Sequence, residues 1–144
     1  MKKILIAFFH ILFCISCKGV HSGTVPFAVS VPQCKIGAEP GYYEAAGIEF
    51  DFYNTSTKDM QEVEVQCMIF DAETKKNPFI GSNIVRAKIR QNIEGGTQKK
   101  LIIPLDNYIY IIPEKPYLID YFFIRKITFN DGSEWKDVFG IYKV

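Results

Sequence analysis

Short stretches in which apolar and polar residues alternate one by one most restrict how this chain can fold. In QEVEVQCMI (61–69), valines, a cysteine and an isoleucine take every second position, with glutamates and a glutamine between them. Similar spacing recurs in GIEFDF (47–52), IVRAKIR (84–90) and LIIPL (101–105). Because successive side chains of a strand point to opposite faces, each stretch predicts a strand with one buried face.

An edge strand is expected at the start of the domain. Phe27, Val29 and Val31 alternate with smaller residues between Pro26 and Pro32. Proline has no N–H to donate to a ladder, so the flanking prolines favour the edge of a sheet. The sequence therefore predicts a strand here, with its larger apolar residues on one face.

The C-terminal third predicts a hairpin. A long apolar run over 117–129 leads into Asn-Asp-Gly and a last strand around Trp135. A three-residue loop with Gly132 in the left-handed conformation pairs Ile127 with Trp135, which keeps apolar opposite apolar. The run itself is more apolar than a half-buried strand requires. Either it is central and covered, or it packs on a partner such as a second copy of the chain.

The sequence predicts an all-β domain. Turn residues separate the alternating stretches, and no segment of useful length has the 3.6-residue period of a helix. Seven or eight mostly antiparallel strands at fairly regular spacing indicate a two-sheet sandwich. We place this domain at 26–144, after a signal peptide at 1–16 and a polar, glycine-containing tether at 17–25.

The first sixteen residues have the composition of a secretory signal peptide. Two lysines precede an apolar stretch that is too short to cross a bilayer. The sequence Cys14-Ile15-Ser16-Cys17 resembles the lipobox of bacterial lipoproteins, in the relaxed form of spirochaete proteins. The resemblance implies that Cys17 becomes the acylated first residue, which attaches the protein to a membrane. Ordinary secretion after cleavage by the other signal peptidase is the alternative.

Charge and cysteine content limit the classes of partner. The signal holds two of the 17 basic residues and none of the 16 acidic ones, so the mature chain is close to neutral. Nucleic acid is therefore not an expected partner, since it requires a basic surface. In an oxidising compartment Cys34 and Cys67 could form a disulfide. Alternatively, Cys67 is a small hydrophobic residue of the core.

Three motifs resemble a known family. The run FYNTSTKDMQEVEVQCMIFD (52–71) resembles the FxLYD-type immunoglobulin-like domains of bacterial envelope proteins, with an Asn-Ser/Thr turn, V-x-V alternation and an aromatic-Asp pair. IEGGT (93–97) resembles their glycine turn, and ITFNDGSEW (127–135) resembles the terminal hairpin of small bacterial immunoglobulin-like lipoproteins. The resemblance implies an immunoglobulin-like sandwich for recognition or scaffolding outside the cytoplasm, without shared catalytic residues.

Catalytic chemistry has little support in the sequence. The domain has no histidine cluster and no C-x-x-C pair, so we expect neither a metal site nor a cofactor. Carboxylate pairs at Glu49/Asp51 and Glu62/Glu64 leave a hydrolase as a minor alternative. A solvated sheet face is the favoured interpretation; where such carboxylates neighbour the basic stripe of 86–90, the two stripes would form cross-strand ion pairs.

Aromatic residues in or beside loops are the best candidates for a binding surface, because amphipathic tyrosines are favoured at recognition sites. In the alternative interpretation they close the open ends of the sandwich. We expect a non-catalytic, lipid-anchored envelope protein with a binding or structural role and a protein partner; a secreted or surface-exposed adhesin or host-ligand binder is the alternative. The candidate residues are Tyr42, Tyr43, Phe79, Tyr108, Tyr110 and Tyr117.

Overall fold

The computed structural model describes residues 25–144, so the signal peptide, Cys17 and all of the tether except Val25 lie outside the described residues. Within 25–144 the chain forms eight antiparallel strands and no helix. The prediction of an all-β sandwich is confirmed. The strands are β1 Phe27–Val29, β2 Gln33–Ile36, β3 Ala46–Asn54, β4 Met60–Phe70, β5 Ile84–Ile93, β6 Gln98–Pro104, β7 Leu118–Phe129 and β8 Glu134–Lys136.

The strands form two sheets that face each other. In sheet 1, β3 is central, with β6 along one edge and both β1 and β2 along the other. In sheet 2 the order is β5-β4-β7-β8. The alternating stretches bury the expected faces between the sheets, so this prediction is confirmed. The buried side chains include Ile48, Phe50, Phe52, Val63, Val65, Ile69, Leu101 and Ile103.

The first edge strand is broken into two parts. Phe27 pairs with Asn54 at one end of β3, whereas Ile36 pairs with Ala46 at the other end. The predicted edge position is correct, but the predicted strand ends early, since β1 stops at Val29 and Val31 lies exposed beyond it. The strand is interrupted between Val29 and Gln33, where Pro32 lacks the N–H that a ladder would need.

The long apolar run becomes the central strand β7, and two features explain its composition. Opposite Cys67, β7 carries one residue more than β4, and Tyr121 in this bulge has φ 47°. The bulge allows three consecutive residues of β7, at 122–124, to be buried. Phe123 contacts the segment after β8, where a Cβ added to Gly140 would lie 3.1 Å from the Phe123 ring. The run therefore needs no partner copy to explain it.

The terminal hairpin has the predicted register. Ile127 pairs with Trp135 and Thr128 pairs with Glu134. Gly132 has φ 80°, the left-handed conformation that the three-residue loop requires. Both predictions about the turn are confirmed.

The two ends of the sandwich differ in their connections. The loop end, as we call it, carries the three long connections 37–45, 71–83 and 105–117. The opposite turn end carries the short connections 55–59, 94–97 and 130–133. Val25 enters at the turn end, where the backbone N–H of Thr55 donates to Pro26 O at 3.0 Å. The chain before Val25 therefore joins the domain at the end opposite the long loops.

Asn54 holds the turn end together. Its side chain is fully buried, and its amide donates to Lys58 O at 2.8 Å and to Ile93 O at 3.0 Å. Its Oδ1 accepts from the backbone N–H of Ser56 at 3.0 Å. One side chain thus hydrogen-bonds to backbone groups of the β3–β4 turn and to the last carbonyl of β5.

Replacing Asn54 with Ala removes a side-chain donor from Ile93 O and the closer of two side-chain donors from Lys58 O. We expect Asn54→Ala to lower the free energy of unfolding by about 2–3 kcal/mol, measured by urea denaturation. Asn107→Ala, at an exposed asparagine, should change it by less than about 0.5 kcal/mol. Equal effects of the two substitutions would contradict the role given to Asn54.

Cys34 and Cys67 come from opposite sheets, and both belong to the buried core. Both are free thiols in the structure, and the disulfide between them stays a prediction. Burial raises the pKa of Cys34 and raises that of Cys67 to about 12. As thiols they are therefore protonated and shielded at neutral pH.

We expect iodoacetamide at pH 8 to modify neither Cys34 nor Cys67 in the folded protein, and both in denaturant, because only exposed thiolates react. Peptide mass mapping shows which of the two cysteines is modified. Ala28→Cys adds an exposed thiol as the control. Rapid labelling of the folded protein would contradict the burial. Labelling in denaturant that first requires a reductant would instead establish the disulfide.

Candidate binding surface at the loop end

Three of the six candidate aromatics meet at the loop end. The rings of Phe79 and Tyr108 lie 5.8 Å apart, and Tyr117 meets Phe79 edge-on at 5.8 Å. All three are partly buried and pack against the core. The hydroxyl of Tyr108 donates to Arg86 O at 3.3 Å. This aromatic cluster fixes the 71–83 and 105–117 loops to the sandwich.

Side-chain caps shape the 71–83 loop. Asp71 Oδ1 accepts from the backbone N–H of Thr74 at 2.7 Å and from that of Glu73 at 3.0 Å. These bonds, with the one from Thr74 strongest, hold the pKa of Asp71 below its usual range. Asn77 Oδ1 accepts from the backbone N–H of Phe79 at 2.9 Å. The loop is therefore built from local turns.

An open depression of about 700 Å³ lies between the 71–83 and 105–117 loops. An ion pair between Lys115 and Glu73 joins the two loops. Four apolar side chains line the depression while staying mostly in solvent, which is unusual for residues of this size. They are Ile80 at 85%, Tyr110 at 81%, Ile111 at 83% and Ile112 at 59% exposure.

Only one of these four, Tyr110, was among the predicted candidates. Ile80, Ile111 and Ile112 were missed because isoleucine ordinarily indicates a strand or a core position. A signal was present in their neighbours: the isoleucines stand beside Gly81 and Pro113 and do not alternate with polar residues. Such positions suit a loop tip better than a strand.

Tyr43 is not part of an exposed surface, which corrects its prediction. It is 6% exposed and lies over Gly47, where an added Cβ would be 2.3 Å from its ring. Its hydroxyl donates to Glu49 at 3.0 Å. Burial and this bond raise the pKa of Tyr43 to about 12. Tyr42, by contrast, is exposed as predicted but lies outside the aromatic cluster.

Glu49 beneath Tyr43 is a buried carboxylate on the outer face of sheet 1. Lys100 Nζ lies 2.6 Å from its Oε2. The hydrogen bond from Lys100, and to a lesser extent that from Tyr43, keeps the pKa of Glu49 below its usual value of 4.5. A lowered folded-state pKa stabilises the fold above the unfolded-state pKa, and this contribution is lost as the pH falls through the folded value.

We expect the wild type to be more stable than Glu49→Gln, by the largest margin at neutral pH. This difference between their free energies of unfolding should shrink below pH 4.5. Urea denaturation between pH 7 and pH 3 measures it. Glu114→Gln, at an exposed glutamate of the 105–117 loop, is the control for the loss of a carboxylate that makes no such contact. A Glu49→Gln difference that grows on acidification would contradict the lowered pKa.

The predicted carboxylate pair Glu62/Glu64 lies in an ion-pair network. Glu62 faces Arg90 across β4 and β5, with Arg90 Nε 2.9 Å from Glu62 Oε2. Lys88 Nζ lies 3.0 Å from Glu64 Oε1. The hydrogen bond from Arg90 lowers the pKa of Glu62. Glu62 and Glu64 are thus joined to the basic stripe by ion pairs across β4 and β5, on an outer sheet face.

The outer face of sheet 2 changes character along its strands. Near the turn end it carries the charged residues just described. Towards the loop end the outward positions become apolar, with Met68 opposite Ile84 and Phe70 opposite Leu118. Leu118 is 40% exposed, and the other three are partly covered. The exposed apolar character of the loop end therefore continues onto this half of the sheet.

Within residues 25–144, no group of three His, Cys, Asp or Glu side chains lies close enough to hold a metal ion. That part of the chain also contains no helix of sufficient length and apolarity to span a membrane.

No protein-family model, no curated protein and no solved structure matches this chain.

Proposed function

We propose that this chain is a non-catalytic, lipid-anchored protein of the bacterial cell envelope that binds a partner through its loop end. The observation that carries this proposal is the set of exposed apolar side chains at 80 and 110–112, around an open depression. Exposed apolar patches of this kind mark interaction sites. They are held by a rigid sandwich, which is how recognition loops are usually presented.

The strand order supports an immunoglobulin-like sandwich. Sheet 1 has three strand positions, with β3 at its centre, while β4 and β7 are central in sheet 2. The chain crosses between the sheets after β3, after β5 and after β6. Crossings between two sheets in this order occur in immunoglobulin-like sandwiches, whose loops gather at the two ends.

The entry point of the chain supports an anchored arrangement. Cys17 precedes Val25 by eight residues, and Val25 lies at the turn end. An acyl anchor on Cys17 would therefore hold the turn end towards the membrane. The loop end would then face away from it, open to other molecules.

The ion pairs weigh against the hydrolase alternative. Glu62 and Glu64 each contact a cationic side chain, and Glu49 contacts Lys100. A general acid needs a raised pKa, whereas the pKa values of Glu49 and Glu62 are lowered. The carboxylates instead stabilise the two outer faces.

The anchor is tested by the intact mass of the protein extracted from its native membrane. We expect a chain that starts at Cys17 and carries acyl groups. Two acyl chains would account for stable attachment to the membrane. Cys17→Ala should abolish acylation, while Cys14→Ala, in the discarded signal, should preserve it. A bare chain with a different first residue would contradict the anchor and favour the secreted adhesin.

A further inference from the structure

We infer that the partner of the loop end is a protein that inserts a short apolar segment between the 71–83 and 105–117 loops. This inference rests on the proposed function and names the class of partner. The depression of about 700 Å³ falls within the range of pockets that hold a small ligand or a few residues of a chain. Its exposed isoleucines and tyrosine match the apolar, aromatic centre of protein interfaces.

The charges around the depression indicate a protein rather than an anionic surface. Lys115 is paired with Glu73, and Lys76 and Glu114 also line the depression, so both signs are present. Asp71 is engaged in capping its own turn. A surface for anionic lipid or nucleic acid would carry an excess of basic residues. A mixed polar rim around an apolar centre is the arrangement of a protein interface.

The length of the tether argues against the anchoring membrane as the occupant. The eight residue steps from Cys17 to Val25 span at most about 29 Å. The nine residues of β3 alone are about 30 Å long, and the loops project beyond the strands. With the turn end tied to the membrane by this tether, the domain cannot turn over and stand upright on its loop end.

The exposed C-terminal segment of a second copy also fits poorly in the depression. The other exposed apolar residues, Val138, Phe139 and Ile141, follow β8 and lie beside the middle of β7. Copies anchored in one membrane stand in the same direction, so their loop ends lie at one height. Seating this C-terminal segment in a neighbour's depression would need a shift of about 15–20 Å along the strands.

The test uses the full mature protein in nanodiscs and a displayed library of random twelve-residue peptides. We expect enriched peptides to be apolar, and to bind wild-type protein at least about tenfold more tightly than Ile111→Asp or Tyr110→Ser. Ile141→Asp, at an exposed apolar residue away from the depression, is the matched control and should bind like wild type. Unchanged unfolding midpoints establish that the variants fold.

Three outcomes would overturn the inference. One is the absence of enriched peptides, or peptide binding that neither Ile111→Asp nor Tyr110→Ser weakens. Another is sedimentation with phosphatidylcholine or phosphatidylglycerol vesicles that Ile111→Asp abolishes, which would identify lipid as the occupant. The third is a dimer in analytical ultracentrifugation that Ile111→Asp dissociates, which would identify a second copy. The anchor is judged separately by the mass of the mature chain, so its failure is distinguishable from these.

Discussion

The structure depends on burying two apolar sheet faces against each other. Neither sheet could exist alone in water, because each has one face of isoleucine, valine and phenylalanine. Phe50 of sheet 1 and Phe122 of sheet 2 meet edge-on with ring centroids 4.9 Å apart, near the middle of this contact. Burial of large aromatic side chains supplies much of the free energy that offsets ordering the chain. The loop tips are free to carry function because most of this core comes from the strands.

The sequence predicted those parts of the fold that follow from local rules. The faces of β3, β4, β5 and β6 follow from strict alternation, and the hairpin register follows from matching Ile127 with Trp135. The bulge at Tyr121 could not be predicted, because it depends on how β7 aligns with β4. Val31 was misplaced because a broken strand has the same local pattern as a continuous one.

The candidate site was predicted less well than the fold. Aromatic residues beside turns pointed to the loop end, where Phe79, Tyr108 and Tyr117 do meet. Tyr43 was misjudged because its burial depends on Gly47, which leaves room for its ring. Nothing local to Tyr43 reveals that contact. The exposed isoleucines were missed because side-chain type alone cannot distinguish a loop tip from a core position.

The segment after β8 has a consequence for solubility. β8 pairs with three residues of β7, and beyond them the edge of β7 meets the chain's last eight residues through two backbone hydrogen bonds, at Asp137 and Val144. An uncovered strand edge rich in aromatic residues is a template for aggregation. These last residues therefore cover part of the edge of sheet 2. A tag or truncation at the C-terminus would disturb the part of the molecule that keeps identical chains from joining edge to edge.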